Sequence, residues 1–356
     1  MSKKVLVGLS GGVDSAVCTY LLKKSKYDVE CAFMHNWQSD PHSHCQSHED
    51  YSAAVDVAKT LDVKLHSVDF SHEYNQQVFQ PFLDALSQNK TPNPDVLCNK
   101  KIKFDCFLKF ALSLGFDYIA TGHYAKKQSI SQRHFLCKAK DSNKDQTYFL
   151  HQLNQFQLKH TLFPLGDYLK PEIKSLAASI DLKNSSRKES MGICFIGQKK
   201  FSDFIKPYLL EKPGDIVDID GHVLGRHNGL YYYTIGQRKG IGIGGLKNYM
   251  QNSWYVIQKD YNRNQLVVAQ DADHPKLYSQ KLLAEQMHWI ANDINPALPV
   301  FARIRHRQAL QKCQVLQKES KSIEVHFEQP QRAVTAGQSI VLYQENYCLG
   351  GATITV

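Results

Sequence analysis

The chain has 356 residues, 42% hydrophobic and 22% charged, the balance of an ordinary globular protein rather than a disordered or fibrous one. Lysine plus arginine exceed aspartate plus glutamate by 43 to 34, a formal charge of +9 that suits a polyanionic partner without naming one. No apolar stretch approaches the ~20 residues that span a bilayer. Although MSKKVLVGLSGG is basic and then apolar, glycines interrupt it early and no small-residue cleavage site follows, so the expectation is a cytosolic chain.

From the amino terminus, KKVLVGL reads as a buried strand and DSAVCTYLLKKS as a helix, with Val17, Tyr20, Leu21 and Lys24 spaced three to four apart. VECAFMH is a second strand and YSAAVDVAKTLD a second helix; VKLHSVDF is a third strand, followed by a helix over 72–87. IKFDCFLKFALSLG is helical with a stop at Gly115, and FDYIATGHY is a strand running into a loop. This alternation predicts an α/β domain, a doubly wound parallel sheet with helices on both faces. QLKHTLFPLGDYLKPEIKSLAASIDL continues in helices, with Pro171 near a helix start. The texture then changes: DIVDID and GLYYYTIG read as short strands between glycine-rich turns. From about residue 275, KLLAEQMHWI, PVFARIRHRQ, KCQVLQK, SIEVHFEQP, QSIVLYQ and YCLGGATITV read as strands of a small barrel or sandwich. The expected domains are 1–210, the α/β unit; 211–274, a small β-rich unit; and 275–356, a C-terminal β-barrel.

The nine cysteines are odd in number and scattered, with no CxxC pair, so no disulfide framework is expected in a chain this large. A special cysteine has to be found by its surroundings. The first strand ends in Gly8-Leu9-Ser10-Gly11-Gly12-Val13-Asp14-Ser15 and a helix follows. A strand, a Gly-Ser loop and a helix N-terminus together converge backbone N–H groups on an anion. The stretch lacks the lysine of a Walker A loop and does not fit G-x-G-x-x-G. Downstream, TPNPDVLCNKKIKF sets Cys98 after the stiff turn Asn93-Pro94-Asp95 and beside Lys100, Lys101 and Lys103. A cysteine ahead of a helix N-terminus and next to cations is expected to carry more thiolate at neutral pH. A second cysteine, Cys194, lies in ESMGICFIG, where a core position is the plainer reading.

SGGVDS resembles the pyrophosphate loop of the N-type ATP pyrophosphatases, which cleave ATP between the α and β phosphates and adenylate an oxygen. That resemblance implies that the loop holds the departing pyrophosphate. Taken with TPNPDVLCNKKIKF, YIATGHY, DSNKDQTYFL, FPLGDYLKPEI, GICFIG, GHVLGRHNGLYYYTIGQRKGIGIGG, RIRHRQ and LGGATI, the whole chain resembles the bacterial tRNA-specific 2-thiouridylases. The likeness implies ATP with Mg²⁺ as the activating pair and the wobble uridine of certain tRNAs as substrate. It also implies a cysteine-desulfurase-type or sulfur-relay protein as donor. Gly8 through Ser15, Met34 and Gly122 would contact ATP. Asn93, Pro94 and Asp95 would touch the target base, with Asp95 able to handle a proton, and His123 would lie near it. Lys144, Asp145, Gln146, Arg305, His306 and Gln338 would contact tRNA. Cys194 would carry the persulfide; Cys98 would be the partner nucleophile, ending in a Cys98–Cys194 disulfide or assisting release of sulfide.

In FARIRHRQ, Arg303, Arg305 and Arg307 alternate, which on a strand sets them on one face as a row of phosphate contacts. The chain departs from the family pattern at His35, where lysine is expected, at RHRQ in place of RYRQ, and at KESMG before Cys194. HNWQSDPHSHCQSHED holds His35, His42, His44, Cys45 and His48 but reads as a variable surface loop, and no resident protein-bound metal is expected. Two rivals remain open from sequence: another adenylating synthetase of the same superfamily, and a catalytically idle tRNA-binding or sulfur-carrier protein.

Overall fold

The computed structural model describes residues 2–37, 46–182, 200–244, 249–250, 252–291, 295–319 and 321–356. Its amino-terminal half runs β1 (Lys4–Gly8), α1 (Val13–Lys24), β2 (Asp28–His35), α2 (Gln46–Thr60) and β3 (Leu65–Asp69). Next comes a rod made of α3 (Ser71–Tyr74), a π-helical segment (Asn75–Phe79) and α4 (Gln80–Ser87). A second rod follows: α5 (Pro94–Leu97), a π-helix (Cys98–Cys106) and α6 (Phe107–Ser113), leading to β4 (Tyr118–Ala120). Then come β5 (Lys126–Ile130), β6 (Arg133–Cys137), α7 (Thr147–Leu150), α8 (Gln155–Lys159), β7 (Thr161–Leu162) and α9 (Lys170–Ser179).

Strands β1, β2, β3, β4 and β7 form a five-stranded parallel sheet in the order β3-β2-β1-β4-β7. β1 runs between β2 and β4, so chain order reverses across it, and the crevice beyond its carboxyl end is where open α/β sheets receive ligands. The pleat explains the double winding. Val5 and Val7 pack on one face with Val13, Ala16 and Val17 of α1 and Ile173 of α9. Leu6 points to the other face, among Ile102, Phe104 and Phe107 of the second rod. A strand buried on both faces needs the unbroken apolar run that VLVG supplies.

After α10 (Phe201–Ile205) the chain builds β8 (Gly214–Val217), β9 (Val223–His227), β10 (Tyr255–Asp260) and β11 (Gln265–Ala269), a four-stranded sheet in the order β10-β11-β8-β9 over a core of Ile216, Trp254, Val256 and Leu266. The carboxyl-terminal strands are β12 (Tyr278–Trp289), β13 (Val300–Arg303), β14 (Gln311–Glu319), β15 (Ser322–Arg332), β16 (Ser339–Gln344) and β17 (Tyr347–Ile354). They follow the order β12-β15-β14-β13-β16-β17, and β12 pairs again with β17, closing a barrel. The α/β sheet, the small β unit and the barrel are the architecture expected from sequence. No helix among the described residues is long and apolar enough to cross a membrane.

Three local expectations are corrected. GLYYYTIG is not a strand; Leu230–Tyr232 is a 3₁₀ turn, and the Tyr231 and Tyr232 rings lie 4.4 Å apart on it. The helical run read over 157–182 is interrupted by β7, whose Thr161 and Leu162 pair with Ile119 and Ala120. The strand in PVFARIRHRQ stops at Arg303, and Arg307 takes a left-handed φ of 64°. Arg303, Arg305 and Arg307 therefore do not share a strand face.

A fourth feature was not read at all. The hairpin β5–β6 lies within the amino-terminal half, yet β6 pairs with β17 through Cys137↔Tyr347 and Leu136↔Cys348. One edge of β17 thus serves β12 at 350–354 and β6 at 347–348. Val341, Tyr343 and Cys348 of the barrel belong to the same apolar cluster as Leu6 and Phe107 of the α/β unit.

The junction is also polar. Asp145, 2% exposed, accepts from the Arg303 guanidinium at 2.9 Å, from the Thr147 hydroxyl and from the Ala139 N–H. The Arg303 guanidinium lies 5.2 Å from the Tyr343 ring centre. Beside it, His151 is buried and its Nδ1 bonds the Tyr148 carbonyl at 2.7 Å. Burial, with His288 and Lys100 adding to it, holds the His151 imidazole down to about 4. An unfolded His151 takes up its proton from pH 6.5 downward while the folded one stays neutral until about 4. Stability therefore falls as pH drops through that window, by about 3 kcal/mol from this group at its lower end. Thermal melting of the wild type should decline across this range more steeply than that of His151→Gln, which keeps a donor and cannot titrate; parallel curves would contradict the assignment.

Candidate active site

The loop that leaves β1 is built for close approach. Gly11 has a φ of 74°, which only glycine adopts without strain, and Gly12 is the extended N-cap of α1. The Ser15 hydroxyl donates to the Gly12 carbonyl at 3.1 Å and accepts from the Ser10 N–H at 3.2 Å, so the turn is tied across its mouth. A second glycine presses from the loop that follows β4. A Cβ on Gly122 would lie 2.8 Å from the Ser15 backbone nitrogen and 2.9 Å from the Asp14 carbonyl carbon. The loop after β4 is thereby packed directly on the first turn of α1. Met34, one residue from the end of β2, sets its methyl 3.0 Å from where a Gly8 Cβ would stand. The nucleotide-contact residues expected from sequence thus converge on the carboxyl edges of β1, β2 and β4.

The loop has no cation of its own, but one arrives from elsewhere. Lys170, the first residue of α9 and 7% exposed, directs its ammonium to both Asp14 carboxylate oxygens at 2.7 and 2.8 Å. The Tyr124 hydroxyl donates to the same carboxylate at 2.8 Å. The Lys170 N–H donates to Asp141 Oδ2 at 2.9 Å, while Asp141 Oδ1 accepts from the Asn143 and Lys144 N–H groups. Sequence reading missed Lys170, Tyr124 and Asp141.

Asn93, Pro94 and Asp95 are not a free turn; they start a helix. The Asn93 side chain caps α5 by accepting from the Asp95 N–H at 3.1 Å, and Pro94 occupies the first helical position. Burial raises the Asp95 carboxyl above its ordinary range and Lys103 opposes that shift. Cys98 then falls one turn inside the helical rod, at the head of the π-helix, and is 3% exposed. This corrects the expectation of a cysteine ahead of a helix N-terminus: the positive end of the dipole acts on the first turn, before Cys98. The three lysines also diverge, since Lys100 reaches Gln152 at 3.0 Å while Lys103 acts on Asp95 and His123.

His123 closes the space between loop and rod. Its Nδ1 bonds the Thr121 hydroxyl at 2.8 Å and its ring lies 5.5 Å from Phe104 of the π-helix. Burial, with Lys103 adding to it, holds it well below the ordinary histidine value, so at neutral pH it is an uncharged ring. Loop, Gly122, His123 and the Cys98 rod are consecutive in space. The approach to Asn93 is fixed by the other two units. Gln338 donates to the Thr91 carbonyl at 2.6 Å, the Thr91 N–H donates to the Ala336 carbonyl, and Lys259 of the small β unit reaches the Asn89 carbonyl at 3.3 Å.

Of the residues expected to touch tRNA, Asp145 and Gln146 are engaged inside the protein, Gln146 by exchanging hydrogen bonds with the Tyr124 backbone. Arg305 is exposed and its guanidinium bonds the Arg332 carbonyl. His306 is half-buried, 4.6 Å from the Phe149 ring, with a buried Nδ1 that has no partner among the described residues. Cys194 lies outside the described residues, as do His42, His44 and Cys45 of the histidine-rich loop.

The family descriptions that match this chain are "tRNA methyl transferase HUP domain" over residues 3–198, "tRNA methyl transferase PRC-barrel domain" over 202–270 and "Aminomethyltransferase beta-barrel domain" over 279–354. The chain is 50% identical over 357 aligned residues to the tRNA-specific 2-thiouridylase MnmA of Legionella pneumophila strain Lens, covering 99% of both. It belongs to the MnmA family. The Proteus mirabilis member is 47% identical with 99% of this chain and 97% of its own covered, and that of Pseudomonas fluorescens Pf-5 is 47% identical with 99% and 94% covered. This chain carries the glycine loop from Gly8 to Ser15, the Asn93-Pro94-Asp95 cap, Cys98 and Cys194.

Proposed function

We propose that this protein is an ATP-dependent tRNA 2-thiouridylase that converts the wobble uridine to 2-thiouridine. The observation that carries the reading is the contiguity of a lysine-free phosphate cradle, through Gly122 and His123, with the rod bearing Asn93, Asp95 and Cys98. Full-length identity near one half to enzymes of that name supports it.

The chemistry divides in two because a thiolate cannot expel oxide from a urea-like carbonyl. The uracil oxygen at carbon 2 attacks the α phosphorus of ATP; the bond to the bridging oxygen breaks, pyrophosphate leaves from the cradle, and the N3 proton passes to Asp95 or water. Burial lifts the Asp95 carboxyl, which suits it to hold a proton. Mg²⁺ would enter with the triphosphate, held through phosphate oxygens and water, and would supply charge neutralisation for the departing pyrophosphate. The terminal sulfur of a Cys194 persulfide, charged by a sulfur-relay or desulfurase-type protein, attacks carbon 2 and AMP departs. Cys98 then attacks the Cys194 sulfur; the Cys194–sulfane bond breaks, the sulfane sulfur stays on carbon 2, and a Cys98–Cys194 disulfide remains for an external reductant. The target base is normally stacked in the anticodon loop and has to be flipped out, at a cost of a few kcal/mol. Exposed Arg305 and the His306–Phe149 pair offer a phosphate contact and a stacking ring.

Pyrophosphate release should require tRNA that contains the unmodified wobble uridine. Cys194→Ser should still release it while incorporating no sulfur from a persulfide donor. Thiolation at wild-type rate by that variant, or pyrophosphate release indifferent to tRNA, would overturn the reading.

A further inference from the structure

A phosphate cradle without a lysine has to meet the charge of pyrophosphate in some other way, and this one starts with a handicap. Asp14, in the first turn of α1, sets a carboxylate beside the amides that receive the anion. Left alone it would repel the ligand. The structure answers with Lys170, whose ammonium straddles both carboxylate oxygens from a buried position on α9.

We propose that Lys170 is the phosphate-binding cation of this loop: when ATP enters, its ammonium leaves Asp14 for the β- and γ-phosphoryl oxygens and stays with pyrophosphate as it departs. The inference rests on the reading of the cradle as an ATP site. Three features of the geometry carry it. The ammonium sits on the carboxylate of Asp14, the second residue of α1, at the helix start where the glycine loop ends. The stem is anchored rather than loose, because the Lys170 N–H is held by Asp141 and its ammonium lies 5.8 Å from the Tyr124 ring centre. Asp14 also has a second donor, the Tyr124 hydroxyl at 2.8 Å, so the carboxylate keeps a hydrogen bond when the lysine moves away. A salt bridge serving only to hold α9 on α1 would not need that spare donor. Apolar contacts of Ile173 and Ala177 with the α1 cluster already hold the helix there.

The test is calorimetric binding to the full-length protein with magnesium, using ATP, inorganic pyrophosphate and AMP as separate probes. Lys170→Met should weaken ATP and pyrophosphate about 100-fold and leave AMP within about twofold, since AMP lacks the phosphates the lysine serves. Lys170→Arg should recover most of the lost affinity. The double variant Lys170→Met/Asp14→Asn removes the stranded carboxylate and keeps the fold. If it still binds pyrophosphate about 100-fold more weakly, the lysine acts on the ligand. If it binds like wild type, Lys170 only neutralises Asp14 and the proposal is wrong. Unchanged pyrophosphate affinity in Lys170→Met likewise overturns it. Wild type that binds neither ATP nor pyrophosphate would instead refute the assignment of the site itself.

Discussion

Cys98→Ser should lower thiolated tRNA formed per unit time by about 10³-fold or more, the order seen when a nucleophile is removed, while tRNA-dependent pyrophosphate release stays within a few-fold of wild type. The split follows from the position of the residue. Cys98 belongs to the rod, and the cradle is formed by β1, α1 and the Gly122 loop, so the substitution leaves the phosphate cradle and the Asp95 carboxyl in place. Because Cys98 is buried among Ile102, Phe104 and Phe107, a serine hydroxyl there costs about 1–3 kcal/mol if it finds no partner. Cys98→Ala, which adds no polar group, separates loss of chemistry from loss of fold and should give the same kinetic split. Mass spectrometry of the wild type after one turnover without reductant should show a Cys98–Cys194 disulfide. If both Cys98 variants thiolate normally, the second thiol has no part in the reaction.

Arg303→Ala should be the most damaging single change away from the chemistry, at about 3–5 kcal/mol, the range for stranding a buried charge. Its guanidinium meets Asp145 at 2.9 Å with both side chains nearly sealed from water, and removing it leaves the carboxylate with hydroxyl and amide donors only. The loss should appear as a large fall in melting temperature. Since Gln146, next to Asp145, exchanges hydrogen bonds with Tyr124, the disturbance leads to the residue that donates to Asp14, and ATP affinity should fall too. Arg303→Met with Asp145→Asn should be appreciably more stable than either change alone. Additive losses in that cycle would mean the pair contributes nothing as a pair.

What sequence made legible was what lies close along the chain. β1, the glycine turn and α1 are consecutive, and turn chemistry, apolar patterning and helix start all agree there. Asn93-Pro94 marks a helix start by the ordinary N-cap rule, and reading it as a turn displaced Cys98 by one helical turn. Lys170 left no such mark: it is 156 residues from Asp14, and an isolated lysine at a helix start looks like any solvated one. Asp145 and Arg303 are 158 residues apart, and their charges suggested surface roles that burial overrides for both. The arginine row failed because alternation says which way side chains point while a strand lasts, and nothing in RHRQ marked where it stops.

The division of β17 between β12 and β6 bears on how such a protein can change over evolutionary time. A lineage could not exchange the carboxyl-terminal barrel for another module by cutting at the intervening loops. The graft would arrive without the hairpin that extends its ladder, and the host would keep that hairpin with its backbone donors facing water. Inheritance of the whole assembly as one unit is the arrangement this shared seam favours.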